Sequence, residues 1–376
     1  MKMGRYFHIP ECPSDVERIW QHAAPVDQRT APAWAASDAP DSYRQVAAHR
    51  AAAFSSTDEA AVYSHELQRL HDAGLIIDGD VTGPSPQRVY VSAPRRWSIG
   101  IYGGLSPLDV APMPGVMNPV LTCEDVSDVT AAFIADPFMI EVDDVWFMFF
   151  EVMNWRANKG EIGLATSDDG VRWVYQRIAL AESFHLSYPY VFEWMGDYYL
   201  IPESHQAGAI RLYKASRFPN EWCFLGNLIE GPYFVDSSVF HHGGSWWLFT
   251  DASISRRHDT LRLYCSDDLM GPWREHPMSP VVAGDATRAR PAGRVIAANE
   301  RVLRYAQACI PVYGTEVRAF EITALDRSCY REREVDRSPV LGPSGAGWNA
   351  HGIHHIDPHL LKDGRWMCSV DGWIRS

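Results

Sequence analysis

Residues Phe133–Glu151 read FIADPFMIEVDDVWFMFFE. An apolar run carrying Asp136-Pro137 near its start reaches a polar turn at Val142–Asp144, and a second run rich in aromatics ends on Glu151, which is the pattern of a β-hairpin. Variants of it follow as SYPYVFEWMGDYYLIPES (187–204), VDSSVFHHGGSWWLFTDAS (235–253), RPAGRVIAANERVLRYAQA (290–308) and IDPHLLKDGRWMCSVDG (356–372), making five hairpins. Between them runs a second pattern, an alternating apolar strand, a polar turn, an aromatic residue and a further strand. Its copies are EIGLATSDDGVRWVYQRIAL, IRLYKASRFPNEWCFLGNLI, LRLYCSDDLMGPWREHPMSPVV and VRAFEITALDRSCYREREVDRSPVL.

Short β units repeating at about 50 residues predict a propeller, here with five blades. The fifth hairpin is followed by only a few residues, whereas an unpaired copy of the second pattern, IGIYGGLSPLDVAPMPGVMNPVL (99–121), precedes the first hairpin. The expected fold is therefore an all-β, five-bladed β-propeller over 96–376, its ring closed by residues 99–121 pairing with the C-terminal hairpin so that no inner edge stays bare. Residues 1–95 lack the repeat. Ser14–Glu17 and Ser56–Glu59 have the form of helix-opening capping boxes, so this region is expected to be a helical or mixed appendage.

Composition narrows the partners. The formal net charge is −13 with no Lys or Arg tract, which disfavours a nucleic-acid backbone and leaves a small-molecule or glycan substrate as the expected partner. Seven cysteines (12, 123, 223, 265, 309, 329 and 368) lie singly, with no CxxC pair, which suits a reducing compartment and offers no structural zinc motif. Residues 1–10 lack an apolar signal core and the run Val145–Phe150 is far too short to span a bilayer, so a cytoplasmic chain with no membrane insertion is expected. No cofactor is called for, although an ion on the propeller axis held by backbone and water would leave no trace. Oligomeric state leaves none either.

The chemistry is expected where the repeats set polar groups in register. At the start of each inner strand stand Asp136, Tyr188, Asp236, Ala292 (beside Arg290) and Asp357; at the end of the antiparallel partner stand Glu151, Glu203, Asp251, Gln307 and Asp371. Both sets fall at the same end of the blades, giving two polar rings around one opening. Carboxylates among Phe, Ile, Val and Trp are costly to bury unless paired or solvated. Opposed carboxyl groups are also what glycosidic-bond chemistry uses, one donating a proton to the leaving oxygen and one acting as base or nucleophile. Asp136, Glu203 and Asp236 are the catalytic candidates. Glu151, His185, Tyr188, Glu230, Asp251, Arg290, Gln307, His355, Asp357 and Asp371 are candidates for substrate binding. Strand alternation sets His355 and Asp357 on one face and His354 on the other. A metal site from His351, His355 and Asp357 is therefore disfavoured, and no metal is expected. Each acid also has a plainer reading: Asp before Pro shapes turns, and Arg290 can simply pair with Asp236 or Asp357.

The phrases FIADPFM, KGEIGLATSDDG, FHLSYPYVFEW, IPES, ARPAGR and the HHIDPH-to-DGRW run resemble the five-bladed propeller clan of arabinanases, β-xylosidases and invertases. They resemble more closely the bacterial domain related to the N-terminal region of plant glucosamine inositolphosphorylceramide transferase. That resemblance implies a carbohydrate-active role, with Asp136 as general base or nucleophile. Tyr188 stands where the clan has a second Asp, and the clan's acidic EGP motif matches Glu230, although Asp236 takes the in-register position. Three functions fit: a glycoside hydrolase with Asp136 as base and Glu203 as acid, a transferase or biosynthetic enzyme acting on a sugar-like substrate, and a non-catalytic glycan-binding propeller.

Overall fold

The computed structural model describes residues 95–254, 256–298 and 301–375. The helical appendage expected before Arg95 lies outside them. β1 (Arg95–Ser106) and β2 (Asp109–Pro112) come first, then β3 (Ala131–Val142), β4 (Val145–Asn154), β5 (Lys159–Ser167) and β6 (Val174–Leu180) as the first complete blade. β7 (Ser187–Trp194), β8 (Asp197–Glu203), β9 (Ala209–Arg217) and β10 (Glu221–Glu230) form the second. The third holds β11 (Val235–His242), β12 (Ser245–Asp251), β13 (Thr260–Ser266) and β14 (Arg274–Glu275), with β15 (Val282–Ala283) also paired to β13. β16 (Ile296–Ala298), β17 (Arg301–Ala308), β18 (Glu316–Leu325) and β19 (Tyr330–Glu334) form the fourth. β20 (Ile356–Leu360) and β21 (Trp366–Arg375) begin the fifth, and β1 and β2 complete it in the order β2-β1-β21-β20. The ring thus closes by pairing of the early segment with the last hairpin, and Leu121 bridges back to Ile99. Among the described residues no helix is long and apolar enough to cross a membrane.

Local sequence explains these elements. Three inner hairpins turn on Asp143-Asp144, Met195-Gly196 and Gly243-Gly244, each pair with positive φ at both residues, the two-residue geometry that matches strand twist. Second strands are sandwiched between neighbouring blades and read as continuous apolar runs; every residue of β12, SWWLFTD, is buried. Outer strands such as β6 and β10 have one wet face and alternate.

The five inner strands meet around an axis that is filled rather than hollow. Tyr188 reaches from blade two to blade four, where its hydroxyl donates to the Gly293 carbonyl (3.0 Å), accepts the Gly293 N–H and lies 2.9 Å from Ser238 Oγ. Gly293 has φ +129°, and a Cβ there would fall 1.8 Å from the Ile356 carbonyl oxygen, so only glycine fits. Elsewhere in the ring, Arg294 Nε donates to Asp357 Oδ1 (2.7 Å) while its Nη2 donates to the carbonyls of Met139 (3.2 Å) and Val191 (2.9 Å). Asp357 Oδ2 accepts the Met139 N–H (2.6 Å) and lies 2.7 Å from His359 Nε2. Against burial, Arg294 and His359 hold the Asp357 carboxyl well below the usual carboxylate range.

Replacing Arg294 with Met strands a fully buried Asp357 carboxylate. The expected loss is about 3–5 kcal/mol of stability, read as a lowered urea midpoint, and adding Asp357→Asn should recover part of it. Equal midpoints for Arg294→Met and wild type would show that the pair does not hold the blades.

Candidate active site

The polar rings expected from the repeats rest on one backbone device used three times. Between Ala135 and Phe138, between Ser187 and Tyr190, and between Val235 and Ser238 the register with the neighbouring strand slips. The second residue of each step, Asp136, Tyr188 or Asp236, has positive φ of 53°, 44° or 51°. Such bulges re-aim a side chain, and Asp tolerates the left-handed region better than most residues. Opposite the residue before each bulge stand Glu151, Glu203 and Asp251. Asp371, on β21, joins them from the closing blade.

These groups form a connected cluster of buried acids. The Asp136 N–H donates to Asp371 Oδ2 (3.0 Å), and the Tyr188 N–H donates to Asp136 Oδ2 (3.2 Å), so backbone and carboxylate link blades five, one and two. Asp371 Oδ1 also accepts the N–H groups of His354 and His355, both at 3.1 Å. His354 Nδ1 lies 2.7 Å from Asp371 Oδ2, an ion-pair distance, and its ring stacks on Trp97 with centroids 4.0 Å apart. Glu203 is held by the His205 N–H (2.8 Å), His205 Nδ1 (2.7 Å) and Ser187 Oγ (3.1 Å). Asp236 Oδ2 accepts from Arg290 Nε (2.6 Å) and Gln307 Nε2 (3.1 Å), while its buried Oδ1 has no hydrogen-bond partner among the described residues. Asp251 accepts from Ser253 and faces His258 Nδ1 at 3.1 Å; His258 in turn lies 3.0 Å from Arg290 Nη1. Arg290 also lies over the Tyr313 ring, 5.0 Å from its centroid.

The same side-chain type takes different states here. Burial, opposed by His354 and reinforced by Asp236 and Asp371, pushes Asp136 up to about 7. Burial and the surrounding carboxylates push Glu151 well above its ordinary range. For Glu203, burial is outweighed by His205 and His185, which hold it at about 2. Burial opposes the charge on His354, but Asp371 and Asp136 raise it.

Other expected residues fall elsewhere. Asp357 leaves the ring: β20 carries no bulge, Ile356 rather than Asp357 pairs Val370, and Asp357 is spent on Arg294 and His359. Tyr188 fills the axis with its hydroxyl fully bonded, so it does not present a binding group. His355 is fully buried against Phe138 and Tyr188, neither ring nitrogen has a hydrogen-bond partner among the described residues, and burial pushes it down to about 4. Glu230 is exposed on the outermost strand of blade two, bonded by Asn227. His354, set aside by strand alternation, is the histidine that enters the cluster, because residues 354 and 355 precede β20 and do not alternate as a strand. His351 stacks on Trp373. His205 and His258 come from loops after strand ends, where no periodicity announces them.

Asp136, His354 and Asp371 each bring one donor atom within 4.8 Å of the others, a spacing a cation could use. Asp371 and Asp136 raise the His354 pKa against burial, so a cation held by these three atoms would have to displace the imidazole proton.

Fold and site together define a five-bladed propeller with an acidic cluster at one end of its axis. The chain belongs to the family described as Glucosamine inositolphosphorylceramide transferase 1, N-terminal, which matches residues 92–373. It is 36% identical over 298 residues to glucosamine inositolphosphorylceramide transferase 1 of Oryza sativa subsp. japonica, covering 73% of this chain and 40% of the relative. With the protein of that name from Arabidopsis thaliana it shares 33% over 296 residues, 73% of this chain and 39% of the relative. The chain thus spans about two fifths of the length of these curated relatives. Among solved structures, the fold is similar to β-1,2-mannobiose phosphorylase from Listeria innocua, at 15% identity and TM-score 0.53, over 72% of this chain and 96% of that one. It is also similar to the catalytic domain of the Coprinopsis cinerea GH62 α-L-arabinofuranosidase, at 14% identity and TM-score 0.50, over 75% of this chain and 97% of that one. At such identities the likeness is one of fold.

The Asp136 carboxyl binds its proton more tightly folded, at about 7, than unfolded, at about 3.9. Its stabilising contribution is therefore complete below about pH 4 and is lost as pH rises through about 7. Asp136→Asn keeps an acceptor for the Tyr188 N–H and removes the titration. The variant should match wild type near pH 4 and melt several degrees higher at pH 8, as followed by calorimetry; a variant that melts lower at pH 8 would refute the sign.

Proposed function

We propose that this propeller is a carbohydrate-active domain that cleaves a glycosidic bond by acid–base catalysis, with Asp136 as the general base. The observation that carries the reading is the setting of Asp136. It stands on a bulge at the meeting of three blades, buried beside Asp236 and Asp371, with the Tyr188 N–H as its one hydrogen-bond donor among the described residues. A base is most effective when its pKa sits near the working pH, and Asp136 at about 7 meets that condition. The names of the family and of its relatives support a sugar-like substrate. Acid–base chemistry by carboxylates draws on no cofactor.

Transfer to an acceptor hydroxyl is the second reading, favoured by the transferase name of the relatives. That name describes proteins more than twice the length matched here, so hydrolysis remains the primary reading. The same base serves both, because the proton it removes comes from water in one case and from an acceptor alcohol in the other.

The test is a panel of aryl pyranosides and furanosides, with and without sugar acceptors. Release of the phenol is expected, and Asp136→Asn should lower it about 10²–10⁴-fold. A product carrying the acceptor would select transfer. Sugar binding by calorimetry without any turnover would leave a binding propeller and refute the catalytic reading.

A further inference from the structure

Of the acids that meet at this end of the axis, one is provided for differently from the rest. Glu203, Asp251 and Asp371 each accept three or more bonds from N–H, O–H or imidazole groups, and Asp236 accepts two. Among the described residues, Glu151 lies between them with no hydrogen-bond donor of this kind. His185 faces it, with Nε2 3.5 Å from Glu151 Oε1. His185 Nδ1 accepts the Gly160 N–H (2.8 Å), so the imidazole is fixed with its proton on Nε2, pointing at Oε1. Gly160 is required for this approach, because a Cβ there would meet His185 Cε1 at 2.8 Å and Glu151 Oε1 at 2.9 Å. A buried carboxyl with other acids around it and no donors to stabilise its charge keeps its proton.

We infer that Glu151 is the proton donor to the leaving oxygen and that His185 is its positioning residue, an inference that rests on the acid–base reading above. Glu203, the acid expected from sequence, is locked as a carboxylate by His205 and has no proton to give. Glu151 is the cross-strand neighbour of Ala135, the residue before Asp136, so acid and base come from one hairpin. In the reaction, the oxygen of water or of an acceptor hydroxyl bonds to the anomeric carbon and passes its proton to Asp136. The glycosidic carbon–oxygen bond breaks, and its electron pair takes the proton from Glu151. Glu151 ends ionised and Asp136 ends protonated; exchange with solvent restores both. The Nε2–H of His185 faces Oε1, which leaves Oε2 as the oxygen that carries the transferable proton.

The experiment compares Glu151→Gln with wild type on alkyl glycosides and on 2,4-dinitrophenyl glycosides of the same sugar. The dinitrophenolate leaves without a proton, whereas an alkoxide does not. Glu151→Gln should lose about 10²–10⁴-fold on the alkyl substrate and far less on the dinitrophenyl one. The basic limb of its pH–rate profile should also disappear. Glu151→Asp, which keeps an acid, should retain that limb. His185→Ala should lower kcat on the alkyl substrate with little change in KM and shift the same limb. Equal losses of Glu151→Gln on both substrates, with the basic limb intact in a variant that still folds by circular dichroism, would overturn the assignment while leaving the hydrolase reading standing. Failure of wild type to act on either substrate would overturn both. Should Glu151→Gln not fold, the infrared spectrum of wild type at neutral pH decides. A protonated carboxyl band that Glu151→Asp shifts supports the assignment, and its absence overturns it.

Discussion

The contact on which this ring depends is the Arg294–Asp357 ion pair. Arg294 leaves the chain of blade four, pairs with an acid of blade five and donates to backbone carbonyls of blades one and two. Asp357 returns a bond to the Met139 N–H of blade one. A buried ion pair recovers its desolvation cost only when the remaining donors and acceptors are also met. Here they are met by backbone groups that the inner strands would otherwise leave unpaired as they splay from the axis. Tyr188 draws blade two to blades three and four by the same logic, through Ser238 and Gly293. Apart from the backbone bridge between Gly293 and Ile356, the inner strands are tied to one another by side chains.

Because that framework is satisfied internally, the acidic cluster is free to be unevenly satisfied. Its members share one neighbourhood, so burial alone cannot separate them. The separation comes from the local donors: an imidazole and a serine for Glu203, a guanidinium and an amide for Asp236, an imidazole and three N–H groups for Asp371. At Glu203 and Asp371 these donors outweigh burial and hold the carboxyl down, whereas at Asp236 burial still outweighs Arg290 and the carboxyl is pushed up. The strands place carboxyls by repetition, and the loops decide their charge.

This division also explains what could be read from sequence. The hairpins, their turns and the ring closure were legible because a repeated apolar pattern and paired Asp, Gly and Met-Gly turns have direct backbone meaning. The carboxyls at 136, 151, 203, 236, 251 and 371 were legible because they recur in register. Asp357 was misplaced, since its blade lacks the bulge that the other Asp-Pro hairpin carries and the letters do not record a bulge. His354 and His258 were passed over because each stands outside a strand, where alternation carries no information. Arg290 was seen as a partner for Asp236 or Asp357; it takes Asp236 while Arg294 takes Asp357, the chain turning between them at Gly293 with φ of 129°.

Tyr188 bears on where chemistry can happen. At the three bulge positions a carboxylate ring would hold three like charges around a narrow axis, a costly arrangement in a buried site. Tyrosine at 188 removes one charge and sends a hydroxyl into the axis, while its N–H still serves Asp136. Arg290 neutralises a second, at Asp236. Among the described residues, Asp136 is the one of the three positions whose carboxyl has no cation in hydrogen-bond range, since His354 Nε2 stands 3.8 Å from its Oδ1. Close enough to feel positive charge but not to be fixed by it, Asp136 can change protonation at modest cost. A ring with the same acid in every blade would offer no such distinct centre, so the departures from the repeat are what set Asp136 apart.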